Sequence, residues 1–288
     1  MSISQNNTTS KSPQERFAER IDLIRELASV GRSAGLTEHS SEAEREAGAA
    51  EIVSALSEIS ETSGVSKVDD GFMKSAFEHF WNVQGITDSE FAEAELVGGW
   101  LEKHGKTTKL REAYLHRLKA AEKDILAEMH GVQTRDETAF LEMTVTGLID
   151  VVRGVNPRLI NEKLKFGYAP FYGAFYEFDS TRESIKMRIE EIVELCTIAR
   201  RKGLLAIEDT ATKIEDVFLK TAAFLILDGN NRFDVRDILE LRIRSEEICG
   251  KSRNETAILR LTAEGILLIS EGTHPDIIRE KLNEEFTK

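Results

Sequence analysis

One pattern recurs along this chain and constrains its fold more than any other. An apolar segment closes on a glycine, and a second amphipathic segment opens just after it. Three stretches carry it: FLEMTVTGLIDVVRGVNPRLINEKL at 140–164, VFLKTAAFLILDGNNRFDVRDIL at 217–239 and ILRLTAEGILLISEGTHPDIIREKL at 258–282. A weaker copy, FAEAELVGGWLEKHGKTTKLREAYL, occupies 91–115. The copies align on Gly105, Gly154, Gly229 and Gly272, each followed ten residues on by Leu115, Leu164, Leu239 or Leu282. Seven residues before the glycine stands a small residue: Gly98, Gly147, Ala222 or Gly265. Six after it come Ile160, Val235 and Ile278, while the first copy breaks the pattern with Arg111.

Each position has a physical task. The glycine supplies the left-handed backbone that ends a helix. Thr107, Asn156 and Asn231, two residues on, are good N-caps; His274 holds the place in the last copy. Pro157 and Pro275 suit the first helical position. The small residue lets a neighbouring helix approach, and the later apolar positions fold the second helix back on the first. Each copy therefore predicts an αα-hairpin. The glycines are unevenly spaced, which excludes a strict solenoid period. The predicted fold is all-α: a stacked αα-hairpin, helical-repeat-like array following an N-terminal helical segment. The expected organisation is an arm at 1–12, helical segment at 13–85 and repeat region at 86–288.

Before the repeat, Ser12-Pro13 predicts a helix start, with Phe17, Ile21, Ile24, Leu27 and Ala28 on one stripe. Gly31 and Gly35 are expected to stop this helix. A second helix is predicted from about Ser41 to Ile59 on Ile52, Leu56 and Ile59, then a polar loop over Ser60 to Asp70. A third is predicted over Gly71 to Val83, with Phe72, Ala76, Phe80 and Trp81 inward. The arm before Pro13 is polar and lacks the apolar core of a secretory signal.

Charge narrows the function classes. With 38 Lys and Arg against 51 Asp and Glu, the net charge is −13. Such a chain repels phosphate backbones and anionic membrane surfaces, so nucleic acid is not an expected partner. The longest apolar run, Ala222 to Leu227, is far short of the roughly 20 residues a spanning helix needs, so membrane insertion is not expected. Cys196 and Cys249 form no C-x-x-C and are expected to be reduced thiols in a cytoplasmic protein, with a disulfide as the lesser alternative.

Catalytic and metal signatures are missing. The six histidines show no paired ligand spacing, and there is no phosphate loop and no G-x-S-x-G elbow. Asp228-Gly-Asn-Asn-Arg-Phe-Asp234 partly resembles a calcium loop, but Arg232 stands where an oxygen ligand belongs, so a helix end is expected. No catalytic residue, cofactor or metal ligand is assigned. An all-α enzyme with a cryptic carboxylate site is the weakest alternative. The aromatic stretch KFGYAPFYGAFYEFDS, 165–180, offers a partner-binding loop around Phe171, Phe175 and Tyr176. That would suit a helical-repeat scaffold or regulatory adaptor binding a peptide or helix.

The stretch from Ile198 to Leu239 carries a second kind of signal. Ala199-Arg200, Gly203-Leu204-Leu205 and Ile207-Glu208 match A-R-x-x-G-L-L-x-L-E; Phe218-Leu219, Asp228-Gly229, Val235-Arg236 and Ile238-Leu239 follow in order. Over these residues the chain resembles the cytoplasmic region of the flagellar stator A subunit, the MotA/PomA family. The resemblance implies charged contacts to the rotor protein of the motor, falling here on Arg200 and Glu208. Eight residues of continuous helix would place these two on one face, and Gly203 between them would allow a close crossing or a kink. Stator A subunits have four spanning helices. Here, after Leu239, stand Arg242, Arg244, Glu246 and Glu247 instead, so ion conduction is not expected. The reading is a soluble, non-enzymatic protein-interaction module that docks on a motor or related assembly through charged helix faces.

Overall fold

The structure, a computed structural model, describes residues 12–37, 40–62, 67–83, 120–127, 134–172 and 180–287. Every regular element among them is helical: α1 (Pro13–Ser33), α2 (Glu42–Thr62), α3 (Lys67–Val83), α4 (Arg135–Val152), α5 (Pro157–Gly167), α6 (Arg182–Lys202), α7 (Val217–Leu227), α8 (Arg232–Ile248), α9 (Ala257–Ser270) and α10 (Pro275–Phe286). Residues 120–127 are also helical. The chain divides by packing into two compact units, Met1–Lys165 and Phe166–Lys288. This division differs from the 13–85 and 86–288 segments drawn from the repeat. The weak copy at 91–115 lies outside the described residues.

The three strong hairpins form as their residues dictate. Gly154, Gly229 and Gly272 take φ of 73°, 75° and 71°, the left-handed conformation that ends a helix. Asn231 caps α8 by accepting from the amides of Phe233 and Asp234, and Asn156 accepts from that of Arg158. His274 caps α10 through Nδ1, which accepts from the Asp276 amide at 3.3 Å. Pro157 and Pro275 open α5 and α10.

In the first unit α4 packs against both α1 and α3, and α2 packs against α1 and α3. Ser12 starts α1 with a capping box to Glu15. Phe17, Ile21, Ile24, Leu27 and Ala28 are buried as the stripe predicts. Gly31 does not stop the helix, which runs on to Ser33. A Cβ at Gly31 would lie 2.6 Å from Ile52 Cδ1, so this glycine serves a helix crossing. Most of the expected polar loop over 60–70 is also corrected: α2 extends to Thr62 and α3 begins at Lys67. Met73 and Phe77 join Ala76 and Phe80 in the core, while Phe72 and Trp81 are only half-buried.

In the second unit α9 is central, with α6, α7, α8 and α10 packed on it. It buries Ile258, Leu259, Leu261, Ile266, Leu267, Leu268 and Ile269, apolar on nearly every side as an enclosed helix must be. Within this unit the α7–α8 hairpin thus packs on α9, the first helix of the α9–α10 hairpin.

Packing exposes a relation between the units. The stripe RIDLIRELASVGRSAGL at 20–36 and RIEEIVELCTIARRKGL at 188–204 share a register, and so do α4–α5 and α9–α10. Phe17, Arg20, Ile21, Ile24, Leu27 and Ala28 are buried in α1; Ile185, Arg188, Ile189, Ile192, Leu195 and Cys196 are buried in α6. A Cβ at Gly147 would meet Ile24 Cδ1 at 2.7 Å and Cγ2 at 2.8 Å; a Cβ at Gly265 would meet the same atoms of Ile192 at the same distances. The two units are built around one duplicated helix crossing.

A candidate partner-binding elbow

The C-terminal end of α6 and the turn after it hold both charged residues that the sequence singles out. α6 opens under the Thr181 cap, whose side chain accepts from the Ser184 amide, and closes at Lys202. It then breaks at Gly203, φ 92°. Leu204–Ile207 form a 3-10 turn and Glu208–Ala211 a single α-turn. Arg200 and Glu208 therefore do not share one continuous helix, which corrects the expected common face. Nothing lies within 4 Å of a Cβ built on Gly203, so its task is backbone conformation and not a close crossing.

Both residues are exposed and flank exposed apolar surface. Leu205 is 72% exposed and Leu204 36%, whereas Ile207 is fully buried and anchors the turn. Arg201 and Lys202 are exposed on the basic side, and Asp209 on the acidic side. Arg200 also donates from Nη1 to the Gly272 carbonyl at 3.3 Å, tying the elbow to the end of α9. A cation among carbonyls at a helix C-terminus is favourable.

One residue that the motif does not mark sets the elbow's frame. Arg188, buried in the middle of α6, donates to Glu191 Oε2 at 2.8 Å, Thr262 Oγ1 at 2.9 Å and Asp216 Oδ2 at 2.8 Å. Asp216 in turn caps α7 by accepting from the Leu219 amide at 2.7 Å. Arg188 thus joins α6, α9 and the start of α7. Its only sequence signal is a charge on the apolar stripe of Ile185, Ile189 and Ile192. In the first unit Arg20 is buried at the matching place, its guanidinium 4.9 Å from the Phe140 ring centroid.

The charges that follow Leu239 also find defined places. Arg242 and Glu246 are both buried in α8, 2.6 Å apart, and Arg242 donates to the Phe166 carbonyl at 3.2 Å. Burial pushes the Glu246 carboxyl up from its ordinary range, with Arg242 opposing. Arg260 pairs with Glu247. Burial likewise raises the Cys196 thiol, whose Sγ donates to the Thr273 carbonyl at 3.3 Å; neither Cys196 nor Cys249 is in a disulfide.

The aromatic loop is only partly described. Phe171 lies in the 3-10 turn Ala169–Tyr172 and is 7% exposed, its ring 6.3 Å from that of Tyr168, so it belongs to the core of the second unit. Phe175 and Tyr176 lie outside the described residues. Asp228-Gly229 is a helix end, as expected. Among the described residues no group of three or more His, Cys, Asp or Glu is placed to hold a metal ion, and no helix is long and apolar enough to cross a membrane.

Fold and elbow together define an all-α protein of capped helical hairpins with a charged, partly apolar surface turn. Over part of its length the chain resembles Motility protein A, the stator A subunit family. It is 26% identical to Motility protein A of Helicobacter pylori (strain ATCC 700392 / 26695) over 124 residues, 43% of this chain and 46% of that protein. It is 33% identical to Motility protein A of Bacillus subtilis (strain 168) over 70 residues, 23% of this chain and 26% of that protein. The chain thus spans about half the length, or less, of the curated relatives it matches. No protein-family model matches it, and no solved structure does.

Proposed function

We propose that this protein is a non-enzymatic interaction module related to the stator A subunit, docking on a rotor or other motor component through the elbow at 200–209. The observation that carries this reading is the exposure of Arg200, Leu204, Leu205 and Glu208 on a turn whose backbone is held by Gly203 and Ile207. Opposite charges around an exposed apolar centre steer and orient a partner more than they add raw affinity. Leu205 supplies the area that leaves water on contact, worth up to about 2 kcal/mol. The resemblance to Motility protein A supports a protein of the motility apparatus as the class of partner.

The test is a pull-down with the tagged full chain, comparing Arg200→Glu, Glu208→Arg and the swapped double variant. Each single reversal should lose motor proteins that the unmodified chain retains, and so should Leu205→Asp. Retention of the same proteins by all three single variants would refute the elbow as the docking surface. Because Arg200 also touches Gly272, circular dichroism of each variant separates lost contact from lost fold.

A further inference from the structure

A second face of the same unit carries its own surface, apart from the elbow. A groove of about 760 Å³ runs between α6 and α10. Glu183, Met187, Glu190, Glu194 and Ile198 line it from α6, and Arg279 from α10. The five α6 residues follow one another at three- and four-residue steps and so lie along one face of that helix. From Glu183 to Ile198 the helix rises about 22 Å, which matches roughly four turns of a partner helix.

The groove is preorganised. Arg279 donates from Nε and Nη2 to the two carboxylate oxygens of Glu190, at 3.1 and 2.8 Å, which fixes α10 beside α6. Arg188 holds Glu191 from the buried side. Glu183 and Glu194 are exposed and have no ion-pair partner among the described residues. Between them Met187 is 56% exposed, an adaptable apolar side chain left facing solvent.

Charge selects the occupant. The lining holds Glu183, Glu190, Glu191 and Glu194 against Lys186 and Arg279, on a chain of net charge −13. A second copy of this chain, an anionic lipid surface or a nucleic acid would each be repelled. We propose that the α6–α10 groove docks a basic amphipathic helix of a partner protein, its apolar stripe on Met187 and Ile198 and its Lys or Arg side chains beside Glu183 and Glu194. This is the helix-in-groove mode, with the area at the centre and the charges at the rim. The groove does not depend on the elbow reading.

The probe is a fluorescein-labelled 18-residue helix with leucines on one face and lysines on the other, titrated against the full chain by fluorescence anisotropy. The control peptide replaces every lysine with glutamate. The lysine helix should bind, and the glutamate helix should not. Glu183→Lys/Glu194→Lys and, separately, Met187→Glu should each weaken binding about tenfold or more. Glu51→Lys/Glu78→Lys changes net charge equally in the other unit and should shift binding less than about threefold. Arg200→Glu should leave binding unchanged. All substituted positions are exposed, and circular dichroism checks the fold of each variant. Absence of binding by the unmodified chain, equal binding of the glutamate helix, or equal weakening by the distant pair would each overturn the proposal. Loss of binding in Arg200→Glu would move the peptide to the elbow and overturn it as well.

Discussion

Gly265→Ala tests the duplicated helix crossing where an added methyl would meet Ile192. The added methyl would sit 2.7 Å from Ile192 Cδ1, 2.8 Å from Cγ2 and 3.3 Å from Cγ1. Carbon atoms in contact prefer roughly 3.5–4.0 Å. Ile192 is 0% exposed, so it has no open side to retreat to. Alanine would gain about 1 kcal/mol of helix propensity over glycine. Overpacking of a filled core costs about 1–3 kcal/mol. The expected balance is a loss of about 1 kcal/mol, read as a lower urea midpoint with unchanged slope in far-UV circular dichroism. Ile192→Ala alone should cost about 2–5 kcal/mol through the cavity it leaves. In the double variant the new methyl enters that cavity, so the two losses should sum to at least about 1 kcal/mol less than their separate values. Gly147→Ala should behave alike, because Ile24 stands at the same distances and Leu164 Cδ1 at 3.1 Å adds to the crowding. Gly272→Ala is the contrast: φ is 71° with open space around it, so its cost of about 1–2 kcal/mol is purely conformational and no neighbouring truncation relieves it. A stabilised Gly265→Ala, additive with Ile192→Ala, would refute the crossing.

Three further outcomes follow from the same packing. Asp150, 1% exposed, pairs with Arg153 at 3.0 Å and Lys163 at 2.8 Å, both nearly buried; Asp150→Asn leaves two cations with one neutral neighbour and should cost about 3–5 kcal/mol in urea unfolding. Thr134→Ala removes the capping box of α4 and should cost about 1 kcal/mol, with faster amide exchange confined to the first turn. The Arg279 hydrogen bond holds the Glu190 carboxyl below its ordinary range, so this pair adds stability that is present above the unfolded carboxyl's value, near 4.3, and is lost as pH falls through the depressed folded value. The advantage over Glu190→Gln should therefore be under about 1 kcal/mol at pH 7, since both partners are largely exposed, and vanish once the pH is below the depressed folded value; an advantage that ignores pH would contradict the assignment.

Motif reading singled out Arg200 and Glu208 and left Gly203 open between a close crossing and a kink; the structure has the break, so the two do not share one helix. A-R-R-K-G-L-L-A-I-E reads as continuous helix by composition, and Gly203 is tolerable within one at modest cost. The positive φ at Gly203 ends α6, and the turn after it buries Ile207 and leaves Leu205 outside. Phe171 turns on packing rather than backbone. An aromatic in a glycine-bearing stretch suggests a surface loop, but its ring is spent on the core beside Tyr168. Arg188 gave almost no signal, since a lone arginine on an apolar stripe reads as the edge of that stripe. Hydrogen bonds to two partners far along the chain, Asp216 and Thr262, account for its burial.

The sequence by itself determined the all-α class, the three strong hairpins and their joints. Glycine, asparagine and proline act on the backbone within two or three residues of themselves, so their rules need no distant partner. Tertiary structure alone decided that Gly31, expected to stop a helix, admits a neighbour instead, and which side chain each close-approach glycine meets. Gly154, Gly229 and Gly272 end helices; Gly31, Gly147 and Gly265 each meet an isoleucine from another helix. It also decided that α1 and α6 repeat one buried pattern, and that Met187 and Leu205 are left outside. Burial is a property of what arrives from elsewhere in the chain, and close-packed interiors settle it side chain by side chain.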